Sequence, residues 1–143
     1  MKVRSILILA ALLSVSGMAF GQSSIVGVWK TIDDETGEPK SHLEIYEKDG
    51  MFYGKVVKLL QSPPDTTCDL CPGDKKDQPL MGMDVVWDLQ PYKDYWSYGR
   101  IMDPNNGKIY KCSVWLKGAD QLEVRGYLGV SALGRTQSWY RIK

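Results

Sequence analysis

The chain has 143 residues, of which 18 are Lys or Arg and 17 are Asp or Glu, so its formal net charge is +1 at neutral pH. A chain of this length is sufficient for one domain with a hydrophobic core. The charges are nearly balanced and form no basic or acidic tail, which excludes the electrostatic footprint of a nucleic-acid-binding protein.

Residues 1–21 have the layout of a secretory signal peptide. Lys2 and Arg4 form a positive start, residues 6–15 form a short apolar segment, and small residues precede the exit. The apolar segment is too short and wrongly flanked for a membrane span, so we expect no stable membrane insertion. We therefore predict a cleaved leader and a mature domain of residues 22–143, exported to the periplasm or the extracellular space.

The rest of the chain is typical of an all-β protein. Runs rich in Val, Ile, Tyr and Trp recur about every ten residues and are separated by Gly, Asn, Asp and Pro at turn positions. Eight antiparallel strands make a barrel that is either just filled or able to hold one small ligand. The predicted strands are residues 25–32, 41–48, 51–60, 83–89, 95–102, 108–117, 121–128 and 134–142.

The hydrophobic pattern predicts the register of the sixth and seventh strands. A loop of residues 118–120 pairs Leu116 with Leu122 and Val114 with Val124. A slip by one residue would turn every side chain of one strand to the other face, so we favour this register.

The pairing of the fifth strand with the sixth then predicts which residues of the fifth strand face inward, although a bulge in the intervening turn would change this register. With Met102 opposite Lys108, the side chains that share the inner face are Trp96, Tyr98, Arg100, Tyr110 and Cys112.

The first and last strands contain residues typical of the lipocalins. Gly27-Val28-Trp29 resembles the lipocalin Gly-x-Trp signature, and Arg141 matches the arginine near the chain end that packs across that tryptophan. The resemblance implies a lipocalin-like, calycin-type barrel in which Trp29 closes one end. A guanidinium on an indole face is a favourable cation–π contact, and Arg141 would make one there.

Longer segments resemble a narrower family, the bacterial domain of unknown function 2147. The most specific segments are the turn DP-x-x-G-K-x-Y at residues 103–110 and the ending RGY…GRTQ-x-W-x-R at residues 125–141. The segments GVWKTIDDETGE and LEIYEKDGMFYGKVVKL match as well. The resemblance implies an exported, lipocalin-like barrel without an established activity.

The resemblance also implies that the last strand turns inward the face with Arg135, Gln137, Trp139 and Arg141. A buried arginine needs partners, because an unpaired charge in a dry interior is costly. We expect backbone carbonyls, a carboxylate or water around Arg141, which in the simplest interpretation only latches the barrel end over Trp29.

Aromatic residues on the predicted inner faces are candidates to line a small cavity with few polar groups, the usual composition of a small-molecule site. Arg100 would then bind the carboxylate or phosphate of a ligand. The alternative is a filled core without a pocket. The candidate ligand-binding residues are Trp29, Trp96, Tyr98, Arg100, Tyr110, Trp139 and Arg141.

Cys68 and Cys71 lie in a long loop of residues 61–79, and Cys112 lies in a strand. We favour a local Cys68–Cys71 disulfide, with a bridge from either cysteine to Cys112 as the alternative. A thioredoxin-like redox pair would need a helix start, and a zinc site would need a second paired motif, so both are disfavoured.

Catalysis has little support in the sequence, which lacks the common nucleophile, zinc and phosphate-binding motifs. We predict no cofactor, no metal site and no catalytic residue. The acidic residues 33–35 are interpreted as solvated turn carboxylates rather than a calcium site, because EF-hand spacing is missing. His42 is interpreted as a surface strand residue.

The sequence favours an exported, non-catalytic barrel that binds a small amphipathic or anionic molecule. The alternative is an envelope protein-interaction module whose barrel is filled and whose long loop or outer face meets an unknown protein partner. The volume inside the barrel distinguishes the two. An unrecognised enzyme is the third alternative, and a perturbed acid–base pair facing a cavity would favour it.

Overall fold

A computed structural model describes residues 24–143 as a closed antiparallel barrel whose eight strands follow chain order. The predicted signal peptide, residues 1–21, lies outside the described residues. Within the described part of the chain, no helix has the length and apolarity that crossing a membrane requires. The strands are β1 (Gly27–Ile32), β2 (Pro39–Lys48), β3 (Met51–Leu59), β4 (Asp84–Tyr92), β5 (Tyr95–Asp103), β6 (Lys108–Leu116), β7 (Gln121–Tyr127) and β8 (Arg135–Arg141).

The predicted register of β6 and β7 is confirmed. Leu116 pairs with Leu122 and Val114 pairs with Val124. Leu122, Val114 and Val124 are at most 2% exposed. The two rows of apolar side chains therefore share the face that the barrel encloses, as the alternation of apolar and polar residues requires.

The predicted register of β5 is wrong over its second half. Trp96 does pair with Val114, but Ile101 rather than Arg100 lies opposite Tyr110. The pairing shifts by one residue between Trp96 and Gly99. Tyr98 lies within this bulge and has a φ of 61°. An extra residue in one strand of a pair produces this shift, so the inner face continues through Gly99 and Ile101.

The bulge turns Tyr98 and Arg100 away from the interior, which corrects the prediction that they face inward. Tyr98 is 58% exposed. Arg100 is paired with Trp87 on β4 and Lys111 on β6, and its Nη1 donates a hydrogen bond to the carbonyl of Gly99 at 3.0 Å. Neither side chain can contribute to a site inside the barrel.

The interior is densely packed around Trp29 and Trp139, which are 0% and 2% exposed. Phe52 meets Trp96 edge to face, with ring centroids 6.1 Å apart. Close packing of this kind leaves few voids larger than a water molecule. The other inner side chains that are less than 5% exposed include Leu43, Ile45, Val56, Val86, Leu89, Cys112, Val114, Leu122 and Val124.

The long loop between β3 and β4 lies against the turn between β5 and β6. A disulfide joins Cys68 to Cys71, as predicted. Cys68 Sγ lies 3.9 Å from the carbonyl oxygen of Pro104. A Cβ added at Gly107 would lie 1.8 Å from the carbonyl oxygen of Leu70, so the two segments touch backbone to backbone. Cys112 is buried inside the barrel and has a free thiol.

Candidate functional site

One end of the barrel, here called the closed end, is sealed by Trp29 and Arg141. The two residues are paired across β1 and β8. The guanidinium carbon of Arg141 lies 4.3 Å from the centroid of the Trp29 ring, which confirms the predicted cation–π contact. Trp29 Nε1 donates to the carbonyl of Ile25 at 2.8 Å, so the buried indole leaves no polar atom unpaired.

The guanidinium of Arg141 has the backbone carbonyl and carboxylate partners that the sequence analysis expected. Its Nε donates to the carbonyl of Ala119 at 3.0 Å, its Nη1 to that of Val26 at 2.9 Å, and its Nη2 to that of Ser24 at 2.7 Å. The Asp120 carboxylate lies 3.8 Å from its Nε. The guanidinium is thus engaged by the protein's own groups, and these contacts tie three segments together at the closed end.

The other inner aromatic residues of the candidate set pack within the core. Trp139 Nε1 donates to Gln137 Oε1 at 3.3 Å. Trp96 Nε1 is buried without a hydrogen-bond partner among the described residues. A pocket of about 390 Å³ lies on the outer wall instead, where Pro72 to Lys75 face Trp87 and Ile109.

The opposite end of the barrel, here called the mouth, has polar groups on its inner face. Arg135 pairs with Gly126 and Gln137 pairs with Val124, so both side chains follow the inward face of β8, as predicted. Tyr110 shares the inner face with Cys112 on β6. The turn between β1 and β2 brings Asp34 to these residues from across the seam between β1 and β8.

The carboxylate of Asp34 is the acceptor on which the mouth residues converge. Arg135 Nη2 and Gln137 Nε2 both donate to its Oδ2. The bond from Trp139 to Gln137 Oε1 orients the amide so that its nitrogen faces Asp34. The Asp34 carboxylate is thus held by two side chains at the surface, whereas the sequence suggested a turn carboxylate that contacts only solvent.

An apolar wall lies beside these polar groups. Gly126 has no side chain, and a Cβ added there would lie 3.5 Å from Tyr110 Cβ and 3.6 Å from Ile101 Cγ2. The Tyr110 hydroxyl accepts a hydrogen bond from Asn106 Nδ2 at 3.4 Å. The mouth therefore combines a pair of anion-binding donors with an aromatic and an aliphatic side chain.

The model of a bacterial family, described as "Uncharacterized protein conserved in bacteria (DUF2147)", matches residues 27–141. The chain belongs to this family. The DUF2147 barrel is also similar to a solved structure titled "Protein HP1028 from the human pathogen Helicobacter pylori belongs to the lipocalin family", with a TM-score of 0.75 and 21% identity over 84% of each chain. This likeness shows a lipocalin fold. No curated protein matches the DUF2147 chain.

The DUF2147 barrel places the candidate ligand-binding residues in different parts of the molecule, so they do not form one site. Trp29 and Arg141 lie at the closed end, and Tyr110 lies at the mouth. The sequence placed Arg135 and Gln137 on the inner face but indicated no role for them. Their shared partner, Asp34, is about 100 residues away in the chain, so no local pattern could reveal the contact.

The strongest pKa shifts occur away from the mouth. Burial raises the pKa of the Cys112 thiol to about 12. Burial, followed by a 2.7 Å hydrogen bond to Asp84, raises the pKa of Tyr46 to about 12. Burial and the charges of Lys58 and Lys30 lower the pKa of His42. Among residues 24–143, no group of three or more His, Cys, Asp or Glu side chains is placed to hold a metal ion.

Proposed function

We propose that the DUF2147 barrel is an exported, non-catalytic binding protein for small amphipathic carboxylates, which it holds at the mouth. The observation that carries the proposal is the convergence of Arg135 and Gln137 on one carboxylate oxygen of Asp34. A guanidinium beside an amide N–H is suited to a planar anion. In this proposal the carboxylate of a ligand replaces that of Asp34.

The position of Asp34 supports such an exchange. It lies in the turn between β1 and β2, outside both strands. The turn has its own hydrogen bonds, since Asp33 Oδ1 accepts from the backbone N–H of Glu35 at 2.9 Å, and the N–H of Gly37 donates to the carbonyl of Asp33 at 2.8 Å. The turn can therefore keep its shape when the Asp34 side chain is displaced.

The size of the ligand follows from the packing. The filled interior around Trp29 and Trp139 leaves only the mouth for the apolar part of a ligand, where Tyr110 and Ile101 flank the missing side chain of Gly126. The ligand in this proposal therefore carries a short aliphatic chain that packs against Tyr110 and Ile101 from the solvent side of the mouth. The Cys68–Cys71 disulfide supports export, because disulfides persist mainly outside the cytosol.

The test uses octanoate as the probe and isothermal titration calorimetry as the measurement. Replacing Asp34 by Asn removes the internal competitor and should tighten octanoate binding. Replacing Arg135 by Ala should weaken binding by about 1.5–3 kcal/mol, the usual contribution of a charged hydrogen bond. Octanol has the same chain without the charge, so its affinity should be the same for the wild type and for both variants.

The matched control is Arg100→Ala, which removes an arginine from the outer wall of the same barrel. Its octanoate affinity should equal that of the wild type. Equal weakening by Arg135→Ala and Arg100→Ala, or no octanoate binding even in Asp34→Asn, would exclude the mouth as an anion site.

A second candidate function is protein interaction through the outer wall. The filled core favours it, together with the pocket between Pro72–Lys75 and Trp87. The Lys75 ammonium lies 5.4 Å from the centroid of the Trp87 ring at this pocket. Native mass spectrometry of the protein purified from its own envelope separates the candidates. A bound protein that is lost in Trp87→Ala supports interaction, whereas a bound small carboxylate supports the mouth site.

A further inference from the structure

We propose that the outer wall of the barrel binds a small phosphate monoester through Arg100 and Lys111. These residues lie beside the pocket between Pro72–Lys75 and Trp87. Their side chains point away from the interior, whereas Arg135 and Gln137 follow the inward face of β8. The outer site is therefore separate from the mouth, and the proposal holds whether or not the mouth binds a carboxylate.

Four outward side chains form a row that crosses four neighbouring strands. Trp87 on β4 pairs with Arg100 on β5. Arg100 pairs in turn with Lys111 on β6, and Lys111 pairs with Tyr127 on β7. Directly opposed residues of an antiparallel sheet carry their Cβ atoms about 5 Å apart on the same face. The two cations are therefore neighbours, with an aromatic side chain on either side of the pair.

The pairing of Arg100 with Lys111 is unfavourable for the protein alone, because like charges directly opposite each other destabilise a sheet. Among the ion pairs of residues 24–143, none includes Lys75, Arg100 or Lys111. Arg100 donates to the carbonyl of Gly99, and Lys111 donates to that of Gly129. Each of the two cations has further N–H groups, which are available to an anion.

The carboxylates around the row do not neutralise it. Asp88 Oδ1 accepts a hydrogen bond from the Tyr53 hydroxyl at 3.4 Å. Asp103 Oδ1 accepts a bond from a backbone N–H of its own turn at 2.9 Å. Asp74 lines the pocket, but within residues 24–143 it forms no ion pair with the three cations. The three cations therefore outweigh the one carboxylate at the pocket.

The pocket supplies the apolar part of the site. Its volume is about 390 Å³, which is within the usual range for small-molecule sites, and Trp87 and Ile109 form its barrel side. Trp87 lies opposite Arg100, and Ile109 precedes Lys111 by two positions on the same face of β6, about 7 Å along the strand. The Lys75 ammonium lies 5.4 Å from the centroid of the Trp87 ring. A ligand can thus rest an apolar group in the pocket while its charged group meets the cations.

The charge of the row selects the class of anion. A phosphate monoester carries roughly two negative charges at neutral pH, more than a carboxylate does. An arginine binds phosphate through two parallel hydrogen bonds, and a lysine binds it as a point charge. Two directly opposed cations therefore favour a phosphate, and the pocket favours a ring or a short chain attached to it.

The first experiment titrates the protein with phenyl phosphate in isothermal titration calorimetry. Arg100→Ala and Lys111→Ala should each weaken binding about tenfold or more, because each removes a charged hydrogen bond. Phenyl sulfate has the same ring with less charge and should bind the wild type more weakly than phenyl phosphate does. Inorganic phosphate lacks the ring and should also bind more weakly.

Two control variants test whether the effect is specific to the row. Lys30→Ala removes another outer-wall cation beside an aromatic ring, since Lys30 Nζ lies 6.0 Å from the centroid of the Tyr140 ring. The cross-strand partners of Lys30 are Tyr140 and His42, whose pKa is lowered, so no second cation lies opposite. Lys30→Ala should therefore bind phenyl phosphate as the wild type does, and so should Arg135→Ala, which changes only the mouth.

The proposal is wrong if the wild type does not bind phenyl phosphate, or if Lys30→Ala weakens binding as much as Arg100→Ala does. Equal affinity for phenyl phosphate and inorganic phosphate would also overturn it, because the pocket would then contribute nothing. Equal weakening by Arg135→Ala would assign the phosphate to the mouth.

A lipid phosphate is distinguished from a small soluble ligand by co-sedimentation with vesicles of phosphatidic acid and phosphatidylcholine. The wild type should stay in solution. Sedimentation that Arg100→Ala abolishes would overturn the proposal, because the row would then bind a lipid surface. Octanoate titration of Arg135→Ala reports on the mouth alone, so failure of either site is seen independently of the other.

Discussion

At the scale of single residues, the thiol of Cys112 makes stability depend on pH. The side chain is 0% exposed inside the barrel, and burial raises its pKa from 9.0 to about 12. The unfolded chain therefore loses this proton first as pH rises, so the folded state loses stability between about pH 9 and pH 12. The slope should approach about 1.4 kcal/mol per pH unit, measured by urea denaturation at several pH values.

Cys112→Ala isolates the contribution of the thiol. Tyr46, whose pKa is raised from 10.0 to about 12, adds a similar loss in both proteins above pH 10. Because the Tyr46 contribution cancels, the difference between the two pH profiles should grow from about pH 9 to about pH 12 and level off above that. Rapid reaction of native Cys112 with a thiol reagent at pH 8 would contradict this description, because the reactive form is an accessible thiolate.

At the scale of elements, the bulge in β5 makes Gly99 an inner residue with no free space. A Cβ there would lie 2.6 Å from Leu89 Cδ2 and 3.1 Å from the carbonyl oxygen of Trp87. Gly99→Ala should therefore destabilise the fold by about 1–3 kcal/mol, the usual cost of overpacking a core. Chemical denaturation monitored by tryptophan fluorescence measures this change.

Gly126→Ala is the matched control on the neighbouring inner face of β7. A Cβ at Gly126 would lie 3.5–3.8 Å from Tyr110 and Ile101, which is ordinary contact distance. Its effect on the free energy of unfolding should stay within about 0.5 kcal/mol. Equal stability of the two variants would mean that Arg100, and not Gly99, faces Leu89, as the uncorrected register of β5 requires.

At the scale of the whole molecule, closure of the barrel depends on a short seam. Strands β1 and β8 pair at Trp29 with Arg141 and at Lys30 with Tyr140, and Ile142 N–H donates to the carbonyl of Val28 at 2.8 Å. Arg141 adds side-chain bonds to segments on both sides of this seam. Arg141→Lys keeps the positive charge but loses the planar guanidinium and its several hydrogen bonds. This variant should therefore destabilise the fold by about 2 kcal/mol.

Arg135→Lys makes the same substitution at the other end of β8, where the side chain is 72% exposed. An exposed ion pair contributes little, so this variant should lose at most about 1 kcal/mol. Thermal unfolding by circular dichroism compares the two. Equal losses would show that Arg141 does not hold the seam more firmly than a surface residue does.

Local chemistry explains what was predictable. Alternating apolar residues and Gly, Asn, Asp and Pro turns marked all eight strands, and the loop of residues 118–120 set the register of β6 and β7. The Cys68–Cys71 bridge spans three positions along the chain, so spacing alone favoured it. The Trp29–Arg141 contact joins distant residues and was predicted through the lipocalin resemblance, not through a local pattern.

The sequence by itself determined the class of fold and the strand pattern, because both depend on residues that are neighbours along the chain. Only the tertiary structure decided the bulge at Tyr98 and therefore the outward position of Arg100. The two ends of β5 pair with β6 in registers that differ by one residue, and the bulge takes up that extra residue. It also decided the meeting of Asp34 with Arg135 and Gln137. Closing the barrel places the first turn beside the last strand, and no pattern along the chain encodes that distance.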